Sequence, residues 1–112
     1  MTSHESMKRR ATATADECDL AVLRLLADPL RLRLVTLLAS EQLCTCHLAA
    51  ATGALPTAVS NHLRQLREAG VVIREASGRY TYYRLQPDIL ERLAEQLTSL
   101  ASLAGSAPKR PC

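Results

Sequence analysis

Two cysteines separated by a single residue, Cys44 and Cys46, are the most chemically informative pair in the 112-residue sequence. Thiolates bind soft metal and metalloid ions. Side chains at i and i+2 point the same way in an extended segment but roughly opposite ways on a helix. Binding of one ion by both cysteines therefore favours a non-helical backbone at the start of this segment. A helix is predicted to begin between the two cysteines, and the dipole at its N-terminus favours the thiolate form. As a bare pattern, however, such a pair is also typical of buried, inert thiols.

The stretch that follows the cysteines predicts two helices joined by a tight turn. The first runs from Thr45, its expected N-cap, to Gly53, where it stops. The second is about 14 residues long, because Pro56 suits a first helical turn and Gly70 suits the left-handed position after the last turn. Two helices with a short glycine-containing connection are typical of a helix-turn-helix.

The second helix has one apolar stripe and one face of hydrogen-bonding groups. The stripe consists of Val59, Leu63 and Leu66. The polar side chains opposite and beside it are Thr57, Ser60, Asn61, Arg64, Gln65 and Glu68. Such groups can contact base edges and phosphates, although an ordinary solvated face is the alternative for this helix on its own.

A β-hairpin is predicted directly after this helix, because Val71 to Ala76 and Arg79 to Leu85 are rich in Val, Ile, Tyr and Thr. We expect Ser77 and Gly78 to form its two-residue turn. A hairpin directly after a recognition helix is a wing. The helix and hairpin together contain the five arginines Arg64, Arg67, Arg74, Arg79 and Arg84. Against Glu68 and Glu75 they leave a local net charge of +3, equal to that of the whole chain. Positive charge is therefore concentrated where DNA phosphates would lie.

The remaining sequence predicts one mainly α domain at residues 15–104, between a flexible arm at 1–14 and a flexible tail at 105–112. Hydrophobic residues make up 47% of the chain, with no Trp or Phe, which suits helices packed on helices. Helices are expected from Asp16 to Ala27, from Pro29 to Ala39, and from Pro87 to Ala104. The last helix is more apolar than a small domain needs, so we expect it to form a homodimer seam with the first.

Several classes of protein are disfavoured by what the sequence lacks. No apolar run is long enough to span a bilayer and no signal peptide is evident, so a cytoplasmic protein without membrane association is expected. The four cysteines, which include Cys18 and Cys112, are then thiols or metal ligands rather than a disulfide framework. No phosphate-binding loop or candidate base accompanies them, so we expect neither an enzyme nor an organic cofactor.

Four segments taken in order resemble the ArsR/SmtB family of bacterial winged-helix repressors that sense metals and metalloids. They are LADPLRLRLVTLL (26–38), LCTCHLAAATG (43–53), VSNHLRQLREAGVV (59–72) and GRYTYYRL (78–85). The resemblance implies a homodimer that binds an inverted-repeat operator in double-stranded DNA and is released when an inducer ion binds. By position, the residues it implies in DNA binding are Thr57, Ala58, Ser60, Asn61, His62, Arg64 and, at the wing tip, Arg79.

The resemblance also implies an inducer. A CxC pair followed by a polar residue and Leu is similar to the soft-ion site of the family's arsenic, antimony, cadmium and lead sensors. Ala49 stands where some arsenic sensors have a third cysteine, so Cys18 is expected to complete a three-thiolate site with Cys44 and Cys46. As(III) or Sb(III) would suit that site. Cd(II) or Pb(II), with a fourth ligand such as Cys112 or His4, is an alternative, and a thiol redox switch is another.

Overall fold

The computed structural model describes residues 20–112, which form five helices and a three-stranded sheet. The described part of helix α1 covers residues 20–26. The elements that follow are α2 (Pro29–Ser40), β1 (Leu43–Cys44), α3 (Thr45–Thr52), α4 (Pro56–Glu68), β2 (Val72–Ser77), β3 (Tyr80–Leu85) and α5 (Pro87–Gly105). The predicted arm at 1–14, the predicted N-cap Asp16, and the residues His4 and Cys18 lie outside the described residues. The mainly α winged helix-turn-helix predicted from the sequence is confirmed.

The helix boundaries follow local signals that the sequence carries. Asp28 is the N-cap of α2, its carboxylate accepting a hydrogen bond from the backbone N–H of Arg31 at 3.0 Å, and Pro29 opens the helix. Helix α3 ends where the N–H of Gly53 donates to the carbonyl of Ala49. Gly70 has φ +81° after α4, a conformation that glycine adopts without steric cost. These predicted starts and stops are confirmed.

The core lies between α4 and the helices that precede it. Val59, Leu63 and Leu66, the predicted stripe of α4, have no exposed surface. They pack in one buried cluster with Leu34 of α2 and Leu48 of α3. Burying each leucine contributes about 1.5–3 kcal/mol relative to leaving it exposed. The buried stripe fixes which face of α4 remains outside, and that face is the polar one.

The wing contains one strand that the sequence did not predict and a turn shifted by one residue. The strands form an antiparallel sheet in the order β1-β3-β2, in which Leu43 pairs with Tyr83 and Cys44 with Tyr82. Ser77 pairs with Tyr80, so the turn consists of Gly78 and Arg79 rather than Ser77 and Gly78. The prediction failed because Gly78, with φ +63°, takes the first central turn position, where the hairpin twist requires a positive φ.

The predicted N-cap of α3 was also wrong. Cys44 is the N-cap, with extended backbone, and Thr45 is the first helical residue. Pairing of Cys44 with β3 holds it extended until the helix begins, and its side chain makes no capping hydrogen bond. The two cysteines therefore belong to different elements, Cys44 to β1 and Cys46 to the first turn of α3.

Helix α5 has an exposed apolar face, as the excess of leucines predicted. Leu93 is buried, whereas Leu97, Leu100 and Leu103 are 51%, 63% and 68% exposed. Helix α1 adds Leu20 and Leu23, which are also exposed. Between residues 20 and 112, no helix is both long enough and apolar enough to cross a membrane.

Candidate nucleic-acid interface and thiol pair

A groove of about 520 Å³ separates the polar face of α4 from the wing. Its walls are hydroxyl, amide and guanidinium groups with one tyrosine. The residues that line it are Pro56, Thr57, Ser60, Asn61, Arg64, Arg67, Arg74 and Tyr83. Three guanidinium groups in one open groove attract a polyanion, and the hydroxyl and amide groups between them can bond to phosphate or base edges.

The arginines of this region differ in how strongly their charges are compensated. Arg64 contacts Asn61 at 2.6 Å and Glu68 at 3.7 Å, and Arg84 contacts Glu75 at 2.7 Å. Among the described residues, the guanidinium groups of Arg67, Arg74 and Arg79 have no hydrogen-bonding or carboxylate partner. These three charges are available to an external anion.

The structure brings together most of the side chains predicted to bind DNA. Thr57, Ser60, Asn61 and Arg64 line the groove. Arg79 lies in the hairpin turn, at the tip of the wing, as an exposed side chain. Ala58 is half-buried and does not line the groove.

Three residues of the groove, Arg67, Arg74 and Tyr83, were not among the predicted DNA-binding residues, although both arginines belong to the predicted basic stretch. Arg74 and Tyr83 are directly opposite each other on β2 and β3. Side chains of such a pair lie on the same face of the sheet, so the pairing brings both to the face that lines the groove. The signal that could have found them is the two-residue periodicity of the hairpin. Shifting the turn by one residue moves the cross-strand pairing by two positions, which leaves Arg74 and Tyr83 on one face, so what the sequence did not show was which face of the hairpin meets α4.

His62 differs from the other predicted DNA-binding residues because one ring nitrogen is already engaged. Its Nδ1 lies 3.0 Å from a terminal nitrogen of Arg31, which also donates to the side-chain carbonyl of Gln65 at 2.9 Å. The backbone N–H of Arg31, with a smaller contribution from the Arg31 charge, holds the pKa of Asp28 below its usual value. A small polar cluster thus joins the start of α2 to the middle of α4.

The thiols of Cys44 and Cys46 have unlike surroundings. Cys44 is 8% exposed, and its Sγ lies 3.3 Å from Nδ1 of His47, whereas Cys46 is exposed on the first turn of α3. Residues 20–112 contain no group of three or more His, Cys, Asp or Glu side chains that could hold a metal ion. The pair supplies two soft donors for a metalloid, but in this conformation one donor is covered. The predicted third ligand, Cys18, lies outside the described residues.

Comparison with known proteins places the chain in a family. Residues 28–74 match the model of the bacterial regulatory protein, arsR family. The arsenic resistance transcriptional regulator ArsR1 of Pseudomonas putida is 42% identical over 69 residues, which cover 61% of this chain and 54% of that protein. The chain thus spans about half of the length of this curated relative.

Solved structures agree with the family match. A crystal structure of a possible transcriptional regulator for arsenical resistance is 40% identical, with a TM-score of 0.64, over 78% of this chain and 96% of that one. A homodimeric winged helix-turn-helix DNA-binding domain from Mycobacterium bovis, described as a possible ArsR-family regulator, is 25% identical, with a TM-score of 0.67. That match covers 90% of this chain and 94% of that domain. From the groove, the wing and these similarities together, the chain belongs to the arsR family of bacterial regulatory proteins and is not an enzyme.

Proposed function

We propose that the chain is a dimeric transcriptional repressor of a metal(loid) resistance operon that binds operator DNA through α4 and the wing. The observation that carries this proposal is the groove between α4 and the hairpin, which is lined by Arg64, Arg67 and Arg74. In this arrangement α4 would enter the major groove, with Thr57, Ser60 and Asn61 towards base edges or phosphates. Arg79 would contact a phosphate beyond them.

Dimerisation would occur through the exposed leucines of α1 and α5. Exposure of Leu97, Leu100 and Leu103 to water is unfavourable, and a second copy of the same helix can cover this apolar surface. The homodimeric Mycobacterium bovis domain, to which this chain is similar in fold, supports the same assembly. Two recognition helices related by a two-fold axis suit an inverted-repeat operator.

The inducer would bind at the start of α3. When bound, As(III) or Sb(III) forms bonds to thiolate sulfurs, and Cys44 and Cys46 would supply two of them. Cys18, from the same or the partner subunit, would supply the third. The name of the Pseudomonas putida relative, a regulator of arsenic resistance, supports this choice of ion.

Ala58 and His62 complete the proposed set of DNA-binding residues by their positions in α4.

A response to the inducer would begin with Cys44, because its sulfur is covered. Exposing that sulfur towards the side of Cys46 has to disturb the junction of β1 and α3. Helix α3 packs against α4, and β1 pairs with β3 of the wing, where Leu43 is opposite Tyr83. A change at the thiols would therefore reach both walls of the DNA-binding groove.

One contact favours a second candidate, a repressor that responds to Cd(II) or Pb(II). Nδ1 of His47 lies 3.3 Å from Sγ of Cys44, which places a nitrogen donor beside the first thiol. Imidazole and thiolate together suit a divalent ion that takes more than three ligands. The same cysteines would then serve a different inducer.

The test is fluorescence-anisotropy binding of the reduced protein to a labelled fragment of its own upstream DNA. The complex is titrated in parallel with arsenite, Cd(II), Pb(II), Zn(II) and peroxide. We expect operator binding by the wild type and release by about one arsenite per subunit. Release by Cd(II) or Pb(II) alone would favour the second candidate, whereas release by peroxide alone would replace both with a thiol redox switch.

Serine variants locate the inducer site in the same assay. Cys44→Ser and Cys46→Ser should bind the operator as the wild type does but should not be released by arsenite. Cys18→Ser tests the third ligand. Cys112→Ser is the matched control, because Cys112 is an exposed thiol on the residues after α5, and it should respond normally. Normal arsenite release from Cys44→Ser or Cys46→Ser would refute the thiol site.

A further inference from the structure

Arg31 connects three helices through a single guanidinium group. Its Nε donates to the carbonyl of Leu25 in α1 at 2.8 Å. One terminal nitrogen donates to Gln65 of α4 at 2.9 Å and lies 3.0 Å from Nδ1 of His62. Its backbone N–H is held by the N-cap Asp28 at 3.0 Å. All four contacts are at least partly buried, and one of the helices they reach is the proposed recognition helix.

We infer that Arg31 is a positioning residue for DNA binding: it fixes the orientation of α4 and the tautomer of His62. The inference rests on the proposed function, since it concerns how the recognition helix is presented. Helix α1 belongs to the proposed dimer seam, so Arg31 also fixes the angle of α4 relative to that seam. A recognition helix must keep this angle to meet both half-sites at once.

The hydrogen bond to the Leu25 carbonyl anchors the Arg31 guanidinium group at the end of α1. The last carbonyls of a helix have no partner within the helix, and a cation near them is favoured by the helix dipole. The Leu25 carbonyl also accepts the backbone N–H of Asp28, but at 3.4 Å, a longer contact than the 2.8 Å from Arg31. Arg31 therefore supplies a shorter, charge-assisted partner at the end of α1.

The contact with His62 determines which ring nitrogen carries the proton. A guanidinium group only donates, so Nδ1 of His62 must accept through its lone pair. The neutral ring then has its hydrogen on Nε2. With this tautomer, the ring keeps an N–H donor on Nε2, the group that a phosphate oxygen needs, whereas the opposite tautomer would leave an acceptor there. Arg31 thus prepares His62 for the role proposed for it without touching DNA itself.

Lysine cannot reproduce this arrangement. Arginine donates along directions fixed by a planar fork, so one group can reach Leu25 on one side and α4 on the other. A lysine ammonium keeps the charge but is a compact point at the end of a flexible stem. Arg31→Lys therefore separates the geometric role of Arg31 from its charge.

The experiment compares Arg31→Lys with Arg33→Lys. Arg33 is on the same helix and donates one exposed hydrogen bond, at 3.0 Å, to the carbonyl of Ala51. Operator affinity is measured by anisotropy, and the His62 tautomer is measured by the ring ¹⁵N chemical shifts in the DNA-free protein at a pH where the ring is neutral. We expect Arg31→Lys to bind about tenfold more weakly, the scale of losing one directed bond to a charged group, while Arg33→Lys stays within about twofold.

The NMR measurement tests the role of Arg31 independently of DNA binding, because the His62 tautomer is measured in the DNA-free protein. Wild-type His62 should show the Nε2–H tautomer, and Arg31→Lys should show a mixture of both, whereas a merely structural role of Arg31 would leave the tautomer unchanged. An Nδ1–H tautomer in the wild type would overturn the inference even if Arg31→Lys does not fold. Unchanged affinity and tautomer in a folded Arg31→Lys would overturn it as well. Failure of the wild type to bind operator DNA would instead refute the proposed function.

Discussion

Replacing Arg79 with alanine should weaken operator binding by an amount that depends strongly on salt. Arg79 lies in the exposed turn of the wing, and no side chain among residues 20–112 bonds to or neutralises its charge. If it contacts a phosphate, the wild-type complex displaces one condensed counterion at each wing tip. A dimer has two such tips, so Arg79→Ala would remove two phosphate contacts from one complex.

The size of the effect follows from counterion release. Each phosphate contact contributes about −0.9 to the slope of log K against log salt concentration, so losing two makes the slope shallower by about 1.8. Because this contribution vanishes near 1 M salt, the affinity loss should be about 60-fold at 0.1 M salt and about ninefold at 0.3 M. The loss should be similar for cognate and unrelated DNA, because phosphates carry no sequence information.

Arg84→Ala is the matched control. It removes the same charge from the same hairpin, but Arg84 is paired with Glu75 at 2.7 Å. The slope of log K against log salt concentration should change little in Arg84→Ala, because the charge of Arg84 is already compensated by Glu75 in the wild type. Anisotropy titrations at four or five salt concentrations would measure all three slopes. Equal slopes for Arg79→Ala and the wild type would show that the wing tip does not contact phosphate, and equal losses in both variants would show that only the net charge matters.

Two further predictions concern the dimer and the start of α2. Leu100→Asp should convert the dimer to monomers in sedimentation equilibrium, because it puts a charge where a 63%-exposed leucine is proposed to be covered; a persistent dimer would place the seam elsewhere. For Asp28, the folded-state pKa is lowered, so its stabilising contribution is present above the unfolded pKa of about 3.9 and is lost as the pH falls through the folded value. Asp28→Asn, which can still cap the helix but carries no charge, should melt somewhat below the wild type at pH 7 and lose less stability on acidification. Equal acid sensitivity of Asp28→Asn and the wild type would rule out this contribution.

The helices were predictable because their signals are local. Asp28 and Pro29 mark the start of α2, because an N-cap followed by proline favours a helix start in any protein. The stripe of Val59, Leu63 and Leu66 identifies the buried face of α4 without knowledge of what packs against it. The polar groups opposite that stripe were assigned to the exposed face for the same reason. Four of the predicted DNA-binding residues consequently line one groove.

The wing and the thiol pair were less predictable because they depend on pairing between distant residues. Strand β1 has only two residues and exists because β3 lies beside it, so its own sequence carries no strand signal. That pairing holds Cys44 extended and makes it, rather than Thr45, the N-cap of α3. The cluster around Arg31 was missed for a similar reason, since its partners His62 and Gln65 are more than 30 positions away in the sequence.

The unlike surroundings of the two cysteines are what release of DNA by an inducer would require. A ligand shifts a conformational equilibrium only by as much as its affinity differs between the two states. A three-thiolate site that was equally complete in both conformations would bind its ion without changing affinity for the operator. With Cys44 covered and Cys46 exposed, an ion that bonds to both sulfurs would favour another conformation of the β1–α3 junction. To reduce the operator-bound fraction from 99% to 1%, such an ion would have to bind that conformation about 10⁴-fold more tightly, so the proposed site would have to be less complete in the state that binds DNA.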